Sequence, residues 1–214
     1  MVSEFCRTFA IMNERKQAES PERSCPESKN VILADADYID KVTFDLIVNF
    51  ERIIGRRIPP ADMARWIDCA ALDGGLREGA HETQVVLIHG KQRQRLDNFV
   101  PADYAQELND KAFRDHLGEF CMTALPVEEL VSAEDFFIET LEVVAAQKDV
   151  KRIIVVPADS LYGRVRETLN RVQDEEKRMT VLTMEPKPGG HFRQEMLGYS
   201  LMAALGIRAD EIQE

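Results

Sequence analysis

The sequence predicts an α/β domain, a three-layer α/β/α sandwich around a mainly parallel sheet, and three observations predict it. Short apolar runs without alternation recur along the chain, as in Val31-Ile32-Leu33-Ala34, Gln84-Val85-Val86-Leu87-Ile88 and Ile153-Ile154-Val155-Val156. Such runs suit strands covered on both faces, the usual condition of a parallel sheet. Segments with apolar residues at helical spacing lie between them. The 214 residues, at 44% hydrophobic content, are enough for one well-packed core, and a second full-sized domain would be crowded.

The elements follow in order. The first strand covers 31–34 and ends at Asp35. Ile39, Val42, Leu46, Phe50 and Ile53 predict an amphipathic helix that stops near Gly55. Pro59-Pro60 opens a second helix through Met63, Trp66, Ile67 and Ala70, which Gly74-Gly75 closes. A strand over 84–88 is stopped by His89-Gly90, and a polar stretch follows from Lys91 to Arg95. A helix is expected over 104–117, and a strand over 120–125 that ends at Pro126. Ser132 begins a helix through Phe136, Phe137, Leu141, Val144 and Ala145. The last third predicts a central strand over 153–156 and a helix over 160–176 with Val165, Leu169 and Val172 inward. A strand over 180–184, the turn Pro186-Lys187-Pro188-Gly189-Gly190 and a final helix over 192–205 complete the series. Residues 1–29 carry charges that cancel and are interrupted by Pro21 and Pro26. They predict a flexible arm, with room for one short helix around 5–12, and residues 30–214 predict a single domain.

Composition narrows the function classes. A net charge of −11 argues against broad binding to nucleic acid or to anionic membranes. No apolar run reaches the ~20 residues that span a bilayer. Cys6, Cys25, Cys69 and Cys121 are scattered, without C-x-x-C or zinc-type spacing. Reduced thiols in a cytoplasmic protein are the expectation.

Strands alternating with helices, joined by right-handed crossovers, put the strand carboxyl ends on one edge, where open sheets bind ligands. Asp35 and Asp37 follow the first strand, and Asp159 follows the strand over 153–156. Asp135 opens the preceding helix, with Glu139 one turn on. Carboxylates gathered within ~6 Å repel one another, so such a cluster holds a hard cation, and oxygen ligation favours Mg²⁺ or Mn²⁺. That ion would lower the pKa of a water and stabilise charge on a phosphoryl group. Simpler roles stand beside this one. Ser132-x-x-Asp135 has the form of a capping box, and Asp37 and Asp159 sit where helix caps do. Asp35 is harder to account for by capping, because it ends a buried strand where an unpaired carboxylate is costly. His81, His89, His116 and His191 lack metal-ligand spacing and read as surface or loop residues. Lys91, Arg93 and Arg95 could line a phosphate path or simply a solvated loop. Trp66, Phe136 and Phe137 read as core. Walker, G-x-G-x-x-G and G-x-S-x-G motifs are absent from the sequence.

The order of elements resembles the NYN branch of the PIN-like nuclease superfamily. The family's opening strand and hhhD-G-D/E-N pattern is matched by Val31-Ile32-Leu33-Ala34-Asp35-Ala36-Asp37-Tyr38. Its Val-Asp helix start is matched by Glu134-Asp135, and its S-G-D-S-D-F stretch by Pro157-Ala158-Asp159-Ser160-Leu161-Tyr162. The likeness runs from about Val31 to Leu205. It implies a PIN-like (Rossmannoid) sandwich and a Mg²⁺- or Mn²⁺-dependent ribonuclease. Asp35, Asp135 and Asp159 would be catalytic metal ligands, with Asp37 beside them, and RNA would be the partner. The family's Asn is Tyr38 here, and the second acid of its later motif is Leu161; Glu139 or Glu142 are the candidate substitutes. Two other readings stand beside it. In a haloacid-dehalogenase-type phosphatase, Asp35 would be the nucleophile and Asp37 the general acid, but no second acid closely follows Asp159. In a non-catalytic interaction domain, the same frame would bind a ligand or a partner, including a second copy of the chain.

Overall fold

The computed structural model describes residues 29–128 and 131–212. Of the arm predicted over 1–29, residues 1–28 lie outside the described residues, and Lys29 belongs instead to the first strand, where it pairs with Val150. Seven strands form one sheet in the order β5-β6-β3-β1-β7-β8-β9. They are β1 (Lys29–Asp35), β3 (His81–Gly90), β5 (Ala112–Asp115), β6 (Gly118–Val127), β7 (Val150–Val156), β8 (Arg178–Thr183) and β9 (Arg193–Met196). All neighbours are parallel except the β5–β6 pair. The six parallel strands, taken in chain order, lie 3-2-1-4-5-6, the doubly wound arrangement. Winding therefore reverses between β1 and β7, and the carboxyl ends of these two strands flank the switch point.

Period-two alternation divides the core into two layers, as a sheet buried on both faces requires. Ile32, Ala34, Val85, Leu87, Ile154 and Val156 face one layer. That layer is covered by α1 (Ala36–Ile54), α2 (Met63–Asp73) and α5 (Leu197–Ala204), through Ile39, Trp66, Ile67 and Leu201. Val31, Leu33, Val86, Ile88, Ile153 and Val155 face the other. There they meet α3 (Ala133–Ala146) and α4 (Tyr162–Asn170), through Phe137, Leu141, Val165 and Leu169. The predicted three-layer α/β arrangement is thus present, with Trp66 and Phe137 fully buried in it.

Several elements differ from the sequence expectation. The helix predicted over 104–117 is one π-helical turn, Tyr104–Leu108, followed by the antiparallel edge strand β5. Phe113 stacks on Phe120 of β6 at 4.9 Å, and that cross-strand pair favours the hairpin over a helix. Gly118, at φ +122°, packs where any Cβ would strike the His81 backbone. The helix expected from Pro60 begins at Met63, capped by Asp62, because Ala61–Asp62 (β2) pairs in parallel with Phe99–Val100 (β4). The final helix starts five residues later than expected, at Leu197, because Arg193–Met196 adds a sixth parallel strand. The helix predicted over 160–176 ends at Asn170. His89-Gly90 extends β3 instead of stopping it.

Candidate functional site

The switch point is built from the end of β1, the first turn of α1 and the loops that follow β7 and β8. Asp35 is the last residue of β1 and caps α1, its carboxylate accepting from the Tyr38 amide at 2.9 Å. Asp35, not Asp37, is therefore the cap. The cost anticipated for a carboxylate ending a buried strand is visible. Burial lifts the Asp35 carboxyl from an ordinary 3.8 to about 6; the Tyr38 amide opposes the rise and the Asp37 charge adds to it. One turn of helix carries Tyr38 across the crevice, where its hydroxyl donates to Asp159 Oδ2 at 3.0 Å. Asp159 opens a 3₁₀ turn directly after β7 and makes no capping bond. Its other oxygen lies 3.2 Å from the Lys187 ammonium, which arrives from the turn after β8. Burial, followed by the Asp159 hydrogen bond and the charges of Asp159, Asp35 and Glu185, holds the Tyr38 phenol far above its usual range. The phenol therefore stays protonated and keeps donating.

A second knot lies at the end of β3. Asp37 accepts from the Gly90 amide at 2.8 Å and faces the Arg93 guanidinium at 3.6 Å. Asp40, 2% exposed, takes Arg93 at 2.6 Å together with the backbone amides of Asp97 and Asn98. Arg93 is thus a counter-ion to α1 and does not line an open phosphate path. His89, expected at the surface, is buried and stacks on Tyr104 at 3.7 Å. Burial pushes its pKa below the ordinary value, which leaves the ring neutral at physiological pH.

The four predicted carboxylates therefore divide. Asp35, Asp37 and Asp159 share one neighbourhood: the Asp37 charge acts on Asp35, and Asp35 and Asp159 both act on Tyr38. Asp135 belongs to the helices of the other face. Its backbone amide donates to Ser132 Oγ at 3.4 Å, as the capping motif predicted. Its carboxylate pairs with Arg164 at the start of α4, at 2.7 Å. Among the described residues, no group of three or more His, Cys, Asp or Glu is placed to hold a metal ion. Sequence reading missed Asp40, Glu185 and the bridging role of Tyr38. A partial signal existed, since Tyr38 stands where the resembling family has its Asn.

The sequence matches, over residues 25–212, a family of unknown function, DUF6621. The chain belongs to the DUF6621 family. No curated protein and no solved structure matches it. The family match covers every described strand and helix of this DUF6621 chain. No helix among the described residues is long and apolar enough to cross a membrane.

Proposed function

We infer that this DUF6621 domain is a PIN-like frame that acts by binding, without hydrolysis, its switch-point carboxylates being neutralised from within. One observation carries the reading: each carboxylate that the sequence singled out already has a protein donor or cation. Asp35 takes the Tyr38 amide, Asp37 takes Gly90 and Arg93, Asp159 takes Tyr38 and Lys187, and Asp135 takes Arg164. A divalent ion needs several carboxylate oxygens turned to one point. Here those oxygens turn to separate partners, and Lys187 supplies a positive charge beside Asp159. The donor set as arranged does not fit Mg²⁺ or Mn²⁺. The same geometry counts against a phosphatase, because Asp37, the acid it would use, is held by Arg93 and a backbone amide.

An active metal-dependent ribonuclease is the second reading. It is favoured by the raised pKa of Asp35 and by the meeting of Asp35 and Asp159 around Tyr38, which resembles a site built for charge. Incubation with single-stranded RNA and millimolar Mn²⁺ separates the two. The binding reading expects no more cleavage by the wild type than by the Asp35→Asn, Asp159→Asn double variant. Cleavage that needs Mn²⁺ and is lost in that variant would establish the ribonuclease instead.

A further inference from the structure

The opposite edge of the sheet carries a second feature, independent of the carboxylates. Parallel strands place their amino ends together, and three of them carry an arginine there: Arg178 opens β8, Arg193 opens β9 and Arg152 is the third residue of β7. Arg152 and Arg178 are direct partners in the β7–β8 register. Arg77, from the segment after α2, joins them around a cavity of about 730 Å³, a size suited to a small molecule. Gly75 forms part of the wall at φ +85°. A Cβ there would stand 2.9 Å from one guanidinium nitrogen of Arg152 and 3.2 Å from one of Arg193. The glycine thus lets two guanidinium groups converge on the backbone.

The cluster is costly as it stands. The charges acting on Arg152 are those of Arg178, Arg77 and Arg193; with burial as the larger cause, they hold its pKa below the ordinary value. Its Nη1 donates to the Gly74 carbonyl at 2.6 Å, while its buried Nε has no partner. Arg193 is paired with Glu195, and Asp73 lies near both. Lys177 also lines the cavity, but its ammonium is committed to the Ala145 and Gln147 carbonyls. Glu195 and Asp73 offset part of the charge, and the four arginines still leave a local positive surplus in a chain whose net charge is −11. Like charges brought together in a partly desolvated cavity oppose folding, and a bound anion relieves them.

We propose that this cavity binds a small oligophosphate, held by Arg77, Arg152, Arg178 and Arg193. Guanidinium forks match phosphate oxygens in pairs. Four guanidinium forks offer more paired donors than the oxygens of one phosphate can accept, whereas two or more linked phosphates present oxygens to all four. The overall negative charge disfavours a long nucleic-acid backbone but leaves a compact polyanion free to enter.

Calorimetric titration of the full chain with pyrophosphate and with tripolyphosphate, at fixed ionic strength, tests this. Citrate, sulfate and an eight-nucleotide RNA are the comparison arms. Saturable one-to-one binding of the oligophosphates is expected, at least tenfold tighter than citrate or sulfate. A tenfold or greater loss is expected in Arg178→Gln and Arg193→Gln. These two variants avoid Arg152, whose bond to Gly74 could make its replacement a folding defect, and circular dichroism checks that they fold. Absence of saturable binding would overturn the proposal, as would affinity unchanged in both variants or the RNA binding more tightly than tripolyphosphate. None of these results depends on the state of the switch point, since no residue is shared between the two sites.

Discussion

Replacing Asp35 by Asn removes one ionisable group from the switch point and keeps the helix cap, since Asn and Asp cap equally well. Burial sets the size of the effect. A carboxyl lifted from 3.8 to about 6 on folding costs about 3 kcal/mol of folding free energy once it ionises. The sign follows from the direction of the shift. Below about pH 4 the group is protonated in both states, and its contribution is intact. As pH rises through about 6 the folded protein must ionise a carboxyl that the unfolded chain ionises readily, and the contribution is lost. Urea unfolding of wild type and Asp35→Asn at half-unit steps from pH 4 to 8 measures the difference directly. The variant should match the wild type near pH 4 and exceed it by about 2–3 kcal/mol at pH 8. Taking the difference cancels acids of the opposite sign, such as Glu211, which Arg56 holds at about 2. A variant that is less stable than wild type at pH 8, or a difference that stays flat with pH, would refute the assignment of a strained, buried carboxylate to this position.

Three further outcomes follow from the same geometry. Asp40→Ala should destabilise the fold by about 3 kcal/mol, because it leaves the Asp97 and Asn98 amides without their acceptor and takes from Arg93 its buried partner; a denaturant midpoint close to wild type would contradict this. Asp68 faces Asp115, and burial followed by that contact raises its pKa to about 7, so its contribution is full below about pH 4 and lost as pH rises through 7. Asp68→Asn should therefore raise stability at pH 8 by about 1 kcal/mol, after discounting for solvent screening of a partly exposed group, and a stability drop there would count against a buried acid raised by its neighbour. Phe113→Ala should loosen the β5–β6 hairpin and speed amide exchange over 112–115, with little change in β1 or β7; uniform exchange changes across the sheet would contradict an independent edge.

Legibility tracked burial. The strands β1, β3 and β7 were plain because both faces are covered, so their apolar residues run unbroken. Arg193–Met196 was hidden because an edge strand with four mostly polar residues carries no such run, and the apolar residues after it imposed helical spacing on the whole segment. Around 104–117, Tyr104, Leu108 and Phe113 are compatible with a helix, and only the long-range stack of Phe113 on Phe120 decides otherwise. At the candidate site, the positions of Asp35 and Asp159 followed from strand ends alone. Their partners did not: Lys187 and Arg93 reach them from loops whose approach depends on the order of strands in the sheet. Asp135 was placed correctly at a helix start, but its carboxylate is turned to Arg164, a contact set by the packing of α3 on α4.

In the proposed binding role, Lys187 and Arg93 stand where a divalent ion would otherwise compensate the edge carboxylates. Calorimetric titration of Mn²⁺ into the wild type and Lys187→Ala at pH 7.5 tests it most directly. No saturable heat is predicted for the wild type, and measurable binding is predicted once the ammonium is removed. Stoichiometric Mn²⁺ binding by the wild type that disappears in Asp159→Asn would contradict the account.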